Sequence, residues 1–565
     1  MGKRLILVAA LVLSVLLGVR ATTPPAPLGA DAAPQVFAAG RAMADVRVIA
    51  AGPHLAASPE NAAVRAHIAR RMQAMGMAVH ETAFAAPKAS ADRLAWWSGK
   101  PDPAPTLTNV IGILPGRDRS LPAVLLMAHH DTVGGSPGAA DDTAGVSALL
   151  ETARAVRSGG VPARDLIVLI TDGEELGLDG AHHFFTSDPL RAHVGAVINV
   201  EARGGGGRTT LFETSADNGA AIARAAGAIA RPGGSSLAVY IYKVLPNDTD
   251  LTETRGGPWT GYNFAFIGRP QLYHSPKATP DALDQGALQD MGAQVLDLTR
   301  ALLVAAPLPG KAPDVVFFDA LGTMLVVYPA WAGWVMLAVA ALGLGLAARR
   351  GGGVRAGAAG AGRMLALMVL AGLVLWAVNQ LSLGAGKPNY YDRLAAIPRL
   401  EVMALCGGVA AFLLTLGAWK IEPKSRGAAM AGAALPLFVL GLAGQVLAPT
   451  AAYVVVVPVL LAALAVAAGD GVGGRLVALI LGAPVIGYMI SFGHFVMQGV
   501  GPNMPMAAAL PLAISAMALL PLWDALSARA ARIGAAVLLV VALGTALTVR
   551  LDPMADTVAV YSADK

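Results

Sequence analysis

Residues 123–145 read AVLLMAHHDTVGGSPGAADDTAG. An unbroken apolar run from Ala123 to Ala128 stops at His129-His130-Asp131, and a glycine-punctuated loop then carries Asp141 and Asp142 into a helical pattern from Thr143 to Arg157. Apolar residues without alternation predict a strand covered on both faces, and the helical period behind it makes this a βα unit of an open α/β sheet. Such sheets place their chemistry beyond the carboxyl ends of the strands. His129 and Asp131 stand there, and residues two apart in extended chain share a side, so the carboxylate can hold the imidazole. Asp141 and Asp142 read as a helix cap with first-turn acid, but their loop can also return a carboxylate to the histidine strand.

The same layout repeats outward from this unit. The strand Leu166 to Thr171 runs into Asp172-Gly-Glu-Glu-Leu-Gly177, which puts Glu174 and Glu175 at its tip. One of an adjacent pair can bind a metal while the other takes a proton from metal-activated water. The strand Ala196 to Val200 ends at Glu201, and Gln271-Leu-Tyr-His-Ser275, behind a strand Asn263 to Ile267, offers His274. Two histidines, three carboxylates and a spare carboxylate match two divalent ions that share a carboxylate bridge. Further strands are predicted at Asn109–Leu114 and Ala238–Tyr242, and further helices at Asn61–Met75, Asn218–Ala230 and Gln285–Ala305. His182 and His183 fall on a helix behind the glutamate pair, and His54, His67, His80 and His193 read as surface or packing residues.

This α/β region is only part of a chain of 565 residues, 55% apolar and 14% charged. The first 319 residues hold 27 basic and 29 acidic side chains, and the remaining 246 hold 15 basic and 8 acidic. The two parts suit different solvents. Because the basic excess lies with the apolar part, the overall charge of +5 is no nucleic-acid footprint. The single cysteine, Cys406, excludes an intramolecular disulfide framework.

Lys3-Arg4 followed by the apolar run Leu5 to Val19 is a signal-peptide core or an amino-terminal anchor, assigned to residues 1–21. Eight apolar segments follow the charged region, at 327–347, 364–384, 402–419, 427–449, 451–468, 476–493, 504–523 and 533–549. Each is near the length that crosses ~30 Å of hydrocarbon. Alternate loops separate by charge: Arg349, Arg350, Arg355 and Arg363, then Lys420, Lys424 and Arg426, then Arg475, then Arg529 and Arg532 form the basic set. The opposite set holds only Lys387, Arg393 and Arg399. With the basic set in the cytoplasm, residues 40–305 lie outside it. Linkers are expected at 22–39 and 306–326, a membrane domain of about eight helices at 327–549, and a tail at 550–565.

The stretches AHHDTVGGSPGAADDTAG, TDGEELGLDGA, VINVEARG and QLYHSPKATPD, within residues 40–305, resemble the zinc metallopeptidases of family M28. A single amino-terminal apolar segment, an M28-like domain outside the cytoplasm and eight following helices look like the branch of endoplasmic-reticulum metallopeptidases and vacuolar membrane proteases. The resemblance implies an M28-type zinc peptidase domain with a mostly parallel mixed sheet flanked by helices, followed by an all-α polytopic membrane domain. It further implies two zinc ions, one on His129 and Glu201 and the other on Glu175 and His274, with Asp141 bridging. Glu174 would be the general base and Asp131 would orient His129. Soluble members commonly carry Asp where Glu201 stands, and Thr is frequent where Ser275 stands. The implied activity is exopeptidase action on peptides, most simply from the amino end.

Other readings predict different features. The M20 peptidases also use His-x-Asp and Glu-Glu, but they insert a lid domain for which the ten residues from Asp131 to Asp141 leave no room. Glutaminyl cyclases share the fold with one zinc, and an inactive receptor or scaffold would have lost ligands that this chain keeps. A transporter-like membrane half would use polar groups such as Asn379, Gln380, Gln445 and His494, for which interhelical hydrogen bonding is the simpler role. Abundant Ala, Gly and Arg favour a bacterial inner membrane with the catalytic domain in the periplasm; in a eukaryotic cell that domain would face the lumen. No pattern in the sequence sets the oligomeric state.

Overall fold

In the computed structural model, residues 3–245, 247–384 and 390–551 are described. The described residues divide into two compact units, one from Thr23 to Val327 and one formed by the amino-terminal helix α1 (Lys3–Thr22) with Tyr328 to Leu551.

The first unit opens with helices α2 (Ala39–Ile49) and α3 (Pro59–Ala74), strand β1 (Ala78–Ala85), helix α4 (Lys88–Ser98) and strand β2 (Thr106–Leu114). The quoted stretch forms β3 (Ala123–His129) and α5 (Thr143–Ser158), and then come β4 (Leu166–Thr171), α6 (Glu174–Gly177), α7 (Asp179–Ser187) and β5 (Val194–Ala202). The unit continues through β6 (Gly206–Thr214), α8 (Gly219–Ala228), α9 (Ser236–Val244), β7 (Thr260–Gly268) and α10 (Gln285–Leu303). A two-stranded sheet of β8 (Val315–Asp319) and β9 (Leu325–Pro329) ends it.

The main sheet has seven strands in the order β1-β2-β4-β3-β5-β7-β6. The central four, β4-β3-β5-β7, are parallel, and the outer pairings are antiparallel. Successive residues of the parallel strands alternate between two buried faces. Val124, Leu126, Ile170 and Ile198 join a core with α2, α5 and α10, while Leu125, Met127, Leu169 and Val197 pack with Phe184 and Phe185 of α7. Both faces are covered, as the unalternated apolar runs require.

The segment predicted as a strand at Ala238–Tyr242 is helix α9 instead. Its β-branched and aromatic residues favour extended chain, but the Ser235 side chain accepts the Ala238 N–H at 3.1 Å and caps a helix there. Strands β1 and β6 were not predicted. They sit at the sheet edges, where β1 alternates in exposure and β6 is rich in Gly and Thr, so neither carries an unbroken apolar run. The stretches expected as linkers are also bound to the unit: the Leu28 N–H donates to Gln289 at 3.0 Å, and the second stretch includes β8.

The second unit contains helices α11 (Ala332–Arg349), α12 (Gly353–Ser382), α13 (Ile397–Phe412) and α14 (Arg426–Leu447). After them come α15 (Tyr453–Ala467), α16 (Val472–Val500), α17 (Ala509–Leu519) and α18 (Ala528–Leu551). Each of the eight predicted apolar segments falls on one of these helices. Among the described residues, seven helical stretches including α1 are long and apolar enough to cross a membrane, while Tyr453–Ala467 and Pro505–Leu519 are shorter. Fifteen residues rise only about 22 Å.

The basic loops meet at one end of this unit. Arg426 Nε lies 2.7 Å from Asp470 Oδ1, and Lys420, Arg426, Arg475 and Asp524 line one cavity. Two polar residues of the apolar segments are hydrogen-bonded at helix ends: Gln445 donates to the Ala330 carbonyl just ahead of α11 at 2.8 Å, and Asn379 accepts from Arg393, in the turn before α13, at 3.0 Å. The helical stretch Tyr391–Gly417 begins earlier than the predicted segment 402–419 and so encloses Glu401, which meets His494 Nδ1 at 2.7 Å.

Candidate metal centre

The strand order brings the carboxyl ends of β4, β3, β5 and β7 side by side. His129 is the last residue of β3, Glu201 stands next to last in β5, and Glu174 and Glu175 open the single turn α6 behind β4. Gly173 makes that turn with φ +77°, and a Cβ there would meet Leu107 Cδ1 at 2.8 Å. Asp141 arrives on the loop before α5. His274 follows β7 with φ +50°, a left-handed backbone that costs a non-glycine residue about 1–3 kcal/mol and persists where its surroundings hold it.

These six side chains converge. His129 Nε2 lies 3.2 Å from Asp141 Oδ1, 3.8 Å from Glu201 Oε2 and 3.9 Å from Glu174 Oε2. His274 Nε2 lies 3.1 Å from Asp141 Oδ2 and 3.2 Å from Glu175 Oε1. Asp141 therefore turns one oxygen to each imidazole. The groups His129–Asp141–Glu201 and Asp141–Glu175–His274 each gather their donor atoms within 4.8 Å of one another, as do His129, Glu174 and Glu175. Imidazole nitrogen and carboxylate oxygen in two sets sharing one carboxylate are a donor set that fits a pair of zinc ions.

The role read for Asp131 changes in detail. The His129 Nδ1–H donates to the Asp131 backbone carbonyl at 3.0 Å, which leaves Nε2 to face the pocket, and the Asp131 carboxylate stands farther off at 3.5 Å. That carboxylate also accepts the N–H of Glu174 at 3.1 Å and of Glu175 at 3.2 Å. Asp142 is the cap of α5, accepting the Gly145 N–H at 3.1 Å. The neighbouring His130 is bound to the Thr108 carbonyl and to Asn61, and burial pushes its pKa down to about 4. The other histidines pair outside the centre, His67 with Asp45, His182 with Glu253 and His193 with Asp165. His54 is buried against the Gly52 carbonyl.

Crowded carboxylates control the protons. Burial drives Glu174 and Glu201 well above the usual carboxylate range, and the neighbouring acids add to it. Burial acts to lower His129 and His274, but the surrounding carboxylates outweigh it, carrying His129 well above its ordinary value and His274 to about 9. Asp141, although buried, is drawn down to about 2 by the two imidazoles.

Asp250 was not recognised from sequence. It is fully buried, accepts a short hydrogen bond from the Thr171 hydroxyl, and is raised to about 7 by burial. Its polar loop carries no signal. Asn199 and Asn263 do carry one, because each interrupts an apolar strand. They pair across β5 and β7, with Asn199 donating to Glu201 at 3.2 Å and Asn263 donating to Glu213 at 2.9 Å.

Residues 109–299 match the family described as Peptidase family M28. The chain carries an M28 peptidase domain. The M28 region is 31% identical over 238 residues to endoplasmic reticulum metallopeptidase 1 of Mus musculus, covering 41% of this chain and 26% of that protein. It is also 31% identical over 226 residues to the vacuolar membrane protease of Eremothecium gossypii, covering 40% and 22%. The match thus spans about a quarter of the length of these curated relatives. An aminopeptidase from Aneurinibacillus sp. strain AM-1 superposes with a TM-score of 0.38 at 15% identity, over 50% of this chain and 97% of that one.

Proposed function

We propose that the chain is a membrane-bound dizinc exopeptidase that removes residues from the amino end of peptides. In this reading His129 and Glu201 hold one zinc, Glu175 and His274 hold the other, and Asp141 joins them. The observation that supports it most is Asp141, whose two oxygens stand 3.2 and 3.1 Å from the two imidazoles. Zinc bound there supplies an acidified water and polarises the peptide carbonyl. Glu174 takes the proton of the attacking water and passes it to the departing amine. Burial, with Glu201 and Glu175 nearby, raises the Glu174 pKa and suits it to hold that proton between the two steps. Asp131 fixes the turn that carries Glu174, and the Asp131 carbonyl fixes the ring of His129.

The M28 domain in this reading lies outside the cytoplasm, in the periplasm of a bacterium, and the eight helices α11–α18 all cross the inner membrane. The convergence of the loops around Arg426, Asp470 and Asp524 at one end of the helical unit supports the alternation read from their charges. Zinc analysis of the purified full chain, coupled to digestion of peptides with free and acetylated amino termini, tests the proposal. Two zinc ions per chain and sequential release from free termini only are expected. Cleavage of acetylated peptides would refute the aminopeptidase assignment, and one zinc with cyclisation of amino-terminal glutamine would favour a glutaminyl cyclase.

A further inference from the structure

Helix α9 has two unlike sides. Tyr240, Ile241, Val244 and Leu245 are all exposed, Val244 by 65%, and their spacing of one and four residues gathers them on one side of the helix. On the other side Val239 is buried, and the Tyr242 ring meets Phe212 at 4.8 Å. Tyr242 also lies within electrostatic reach of Glu213 and Glu201. The helix therefore backs onto the hydrogen-bond network of the metal centre and turns its apolar side away from it.

The direction of α9 follows from its contacts with β8. Ser236 Oγ accepts the Phe317 N–H at 3.1 Å near the start of the helix, and Lys243 Nζ stands 3.8 Å from Asp314 near its end. The two elements thus run in opposite directions. β8 turns back into β9 through a hydrogen bond from the Ala320 N–H to the Met324 carbonyl, so Pro329 returns to the level of Val315. The carboxyl end of α9 and the chain leaving β9 are therefore at the same end of the hairpin. Three residues later, Ala332 opens α11, a helix long and apolar enough to cross a membrane. Three residues reach at most about 11 Å. The exposed indoles of Trp331 and Trp334 at its start are the side chains favoured at a membrane–water interface. Three residues of chain thus join the end of the hairpin that carries the α9 terminus to the start of a membrane-length helix.

We propose that the Tyr240–Ile241–Val244–Leu245 face of α9 is an interfacial membrane contact that seats in the headgroup and upper acyl layer of the bilayer, so that the helix behind the metal centre rests on lipid. A short helix with one large apolar side and a lysine beside it suits that layer. This assignment does not depend on the catalytic reading.

The test uses the full chain in liposomes of phosphatidylethanolamine and phosphatidylglycerol. A nitroxide is attached at Val244→Cys, and the labelled parent chain serves as the blank for Cys406. Collision with oxygen, which concentrates in lipid, is compared with collision with a water-soluble nickel chelate. A label at Val161→Cys, exposed in a loop of the same unit, is the reference. The oxygen-to-nickel ratio at Val244 is expected to exceed that at Val161 by about fivefold or more. A label at Ile241→Cys, one turn earlier on the same face, is expected to follow Val244. Equal ratios at Val244 and Val161 would overturn the proposal. So would a label at Val244 that is immobilised and shielded from both reagents, unchanged between liposomes and detergent, which would assign the face to a second copy of the chain.

Discussion

The carboxylate of Asp131 accepts the backbone N–H of Glu174 at 3.1 Å, and with its other oxygen that of Glu175 at 3.2 Å, so one buried side chain sets the turn carrying two residues of the centre. Asp131 is a positioning residue in this geometry. Asp131→Ala leaves both N–H groups without their acceptor, and kcat/KM is expected to fall about 10- to 100-fold, the range seen when groups supporting a metal site are removed. Asp131→Asn keeps one acceptor oxygen and should lose less. Steady-state kinetics on the two variants, with zinc content measured beside them, decides the matter. An Ala variant as active as the parent would end the positioning role.

Glu174 stands 3.9 Å from His129 but contributes to neither of the two groups that share Asp141. Glu174→Gln keeps the shape of the side chain and removes its ability to take a proton. Turnover is expected to drop by about 10²- to 10⁴-fold, the usual contribution of a general base, with zinc still bound. Parallel activity and metal assays check this. Loss of zinc together with activity would reassign Glu174 as a ligand.

Protons must leave before zinc can enter. The surrounding carboxylates hold His274 near pKa 9 and raise His129 well above its ordinary value, so both rings favour the doubly protonated imidazolium when no metal is bound. Metal ligands bind deprotonated, so zinc binding should release protons and its affinity should rise with pH up to that range and fall on acidification. Calorimetric titration of metal-stripped protein in two buffers of different ionisation heat measures the release directly. Equal heats in both buffers, with an affinity that does not change with pH, would contradict the proton inventory drawn from these contacts.

The parts of this centre legible in the sequence were those written into continuous apolar runs. Ala123–Ala128, Leu166–Thr171 and Ala196–Val200 are buried on both faces, so their ends, and with them His129, the glutamate pair and Glu201, could be located by hydropathy alone. Asp250 could not, because its burial depends on a fold-back of the chain after α9 that no local pattern records. The same physics misled at Ala238–Tyr242, where a serine cap outweighed residues suited to a strand. Strand periodicity points Asp131 to the histidine ring, and its carboxylate does lie 3.5 Å from His129 Nδ1, but no strand pattern records that the same carboxylate also accepts the N–H groups that open α6.

Arg426 and Asp470 lie 2.7 Å apart, although α14 and α15 separate them in sequence. The chain therefore leaves one end of the helical unit in α14 and returns to it after α15, even though α15 has only 15 residues. Single cysteines at Asp470 and Arg529 are expected to react with impermeant reagents only from the cytoplasmic side, and a cysteine at Thr450 only from the periplasmic side. Labelling of intact cells and of inverted vesicles distinguishes the two. Reaction of position 470 in intact cells would remove α15 from the set of crossing helices.

Gly145 lies against the cap of α5. A Cβ at this position would stand 2.3 Å from Asp142 Oδ1 and 2.4 Å from Oδ2, closer than any side chain tolerates, and the carboxylate it would displace is the one bound to the Gly145 N–H. Asp142 is buried and follows Asp141 directly, so moving its carboxylate aside disturbs the loop that presents the shared carboxylate. Gly145→Ala is therefore expected to destabilise the M28 domain by about 1–3 kcal/mol, the usual effect of overpacking, and to weaken zinc binding as Asp141 shifts. Asp142→Ala removes the cap without the clash and should cost only about 1 kcal/mol. Thermal unfolding and zinc titration of the two variants separate the effects. If Gly145→Ala matched Asp142→Ala in both measurements, the approach of Gly145 to the carboxylate would not be what holds Asp141 between the two histidines.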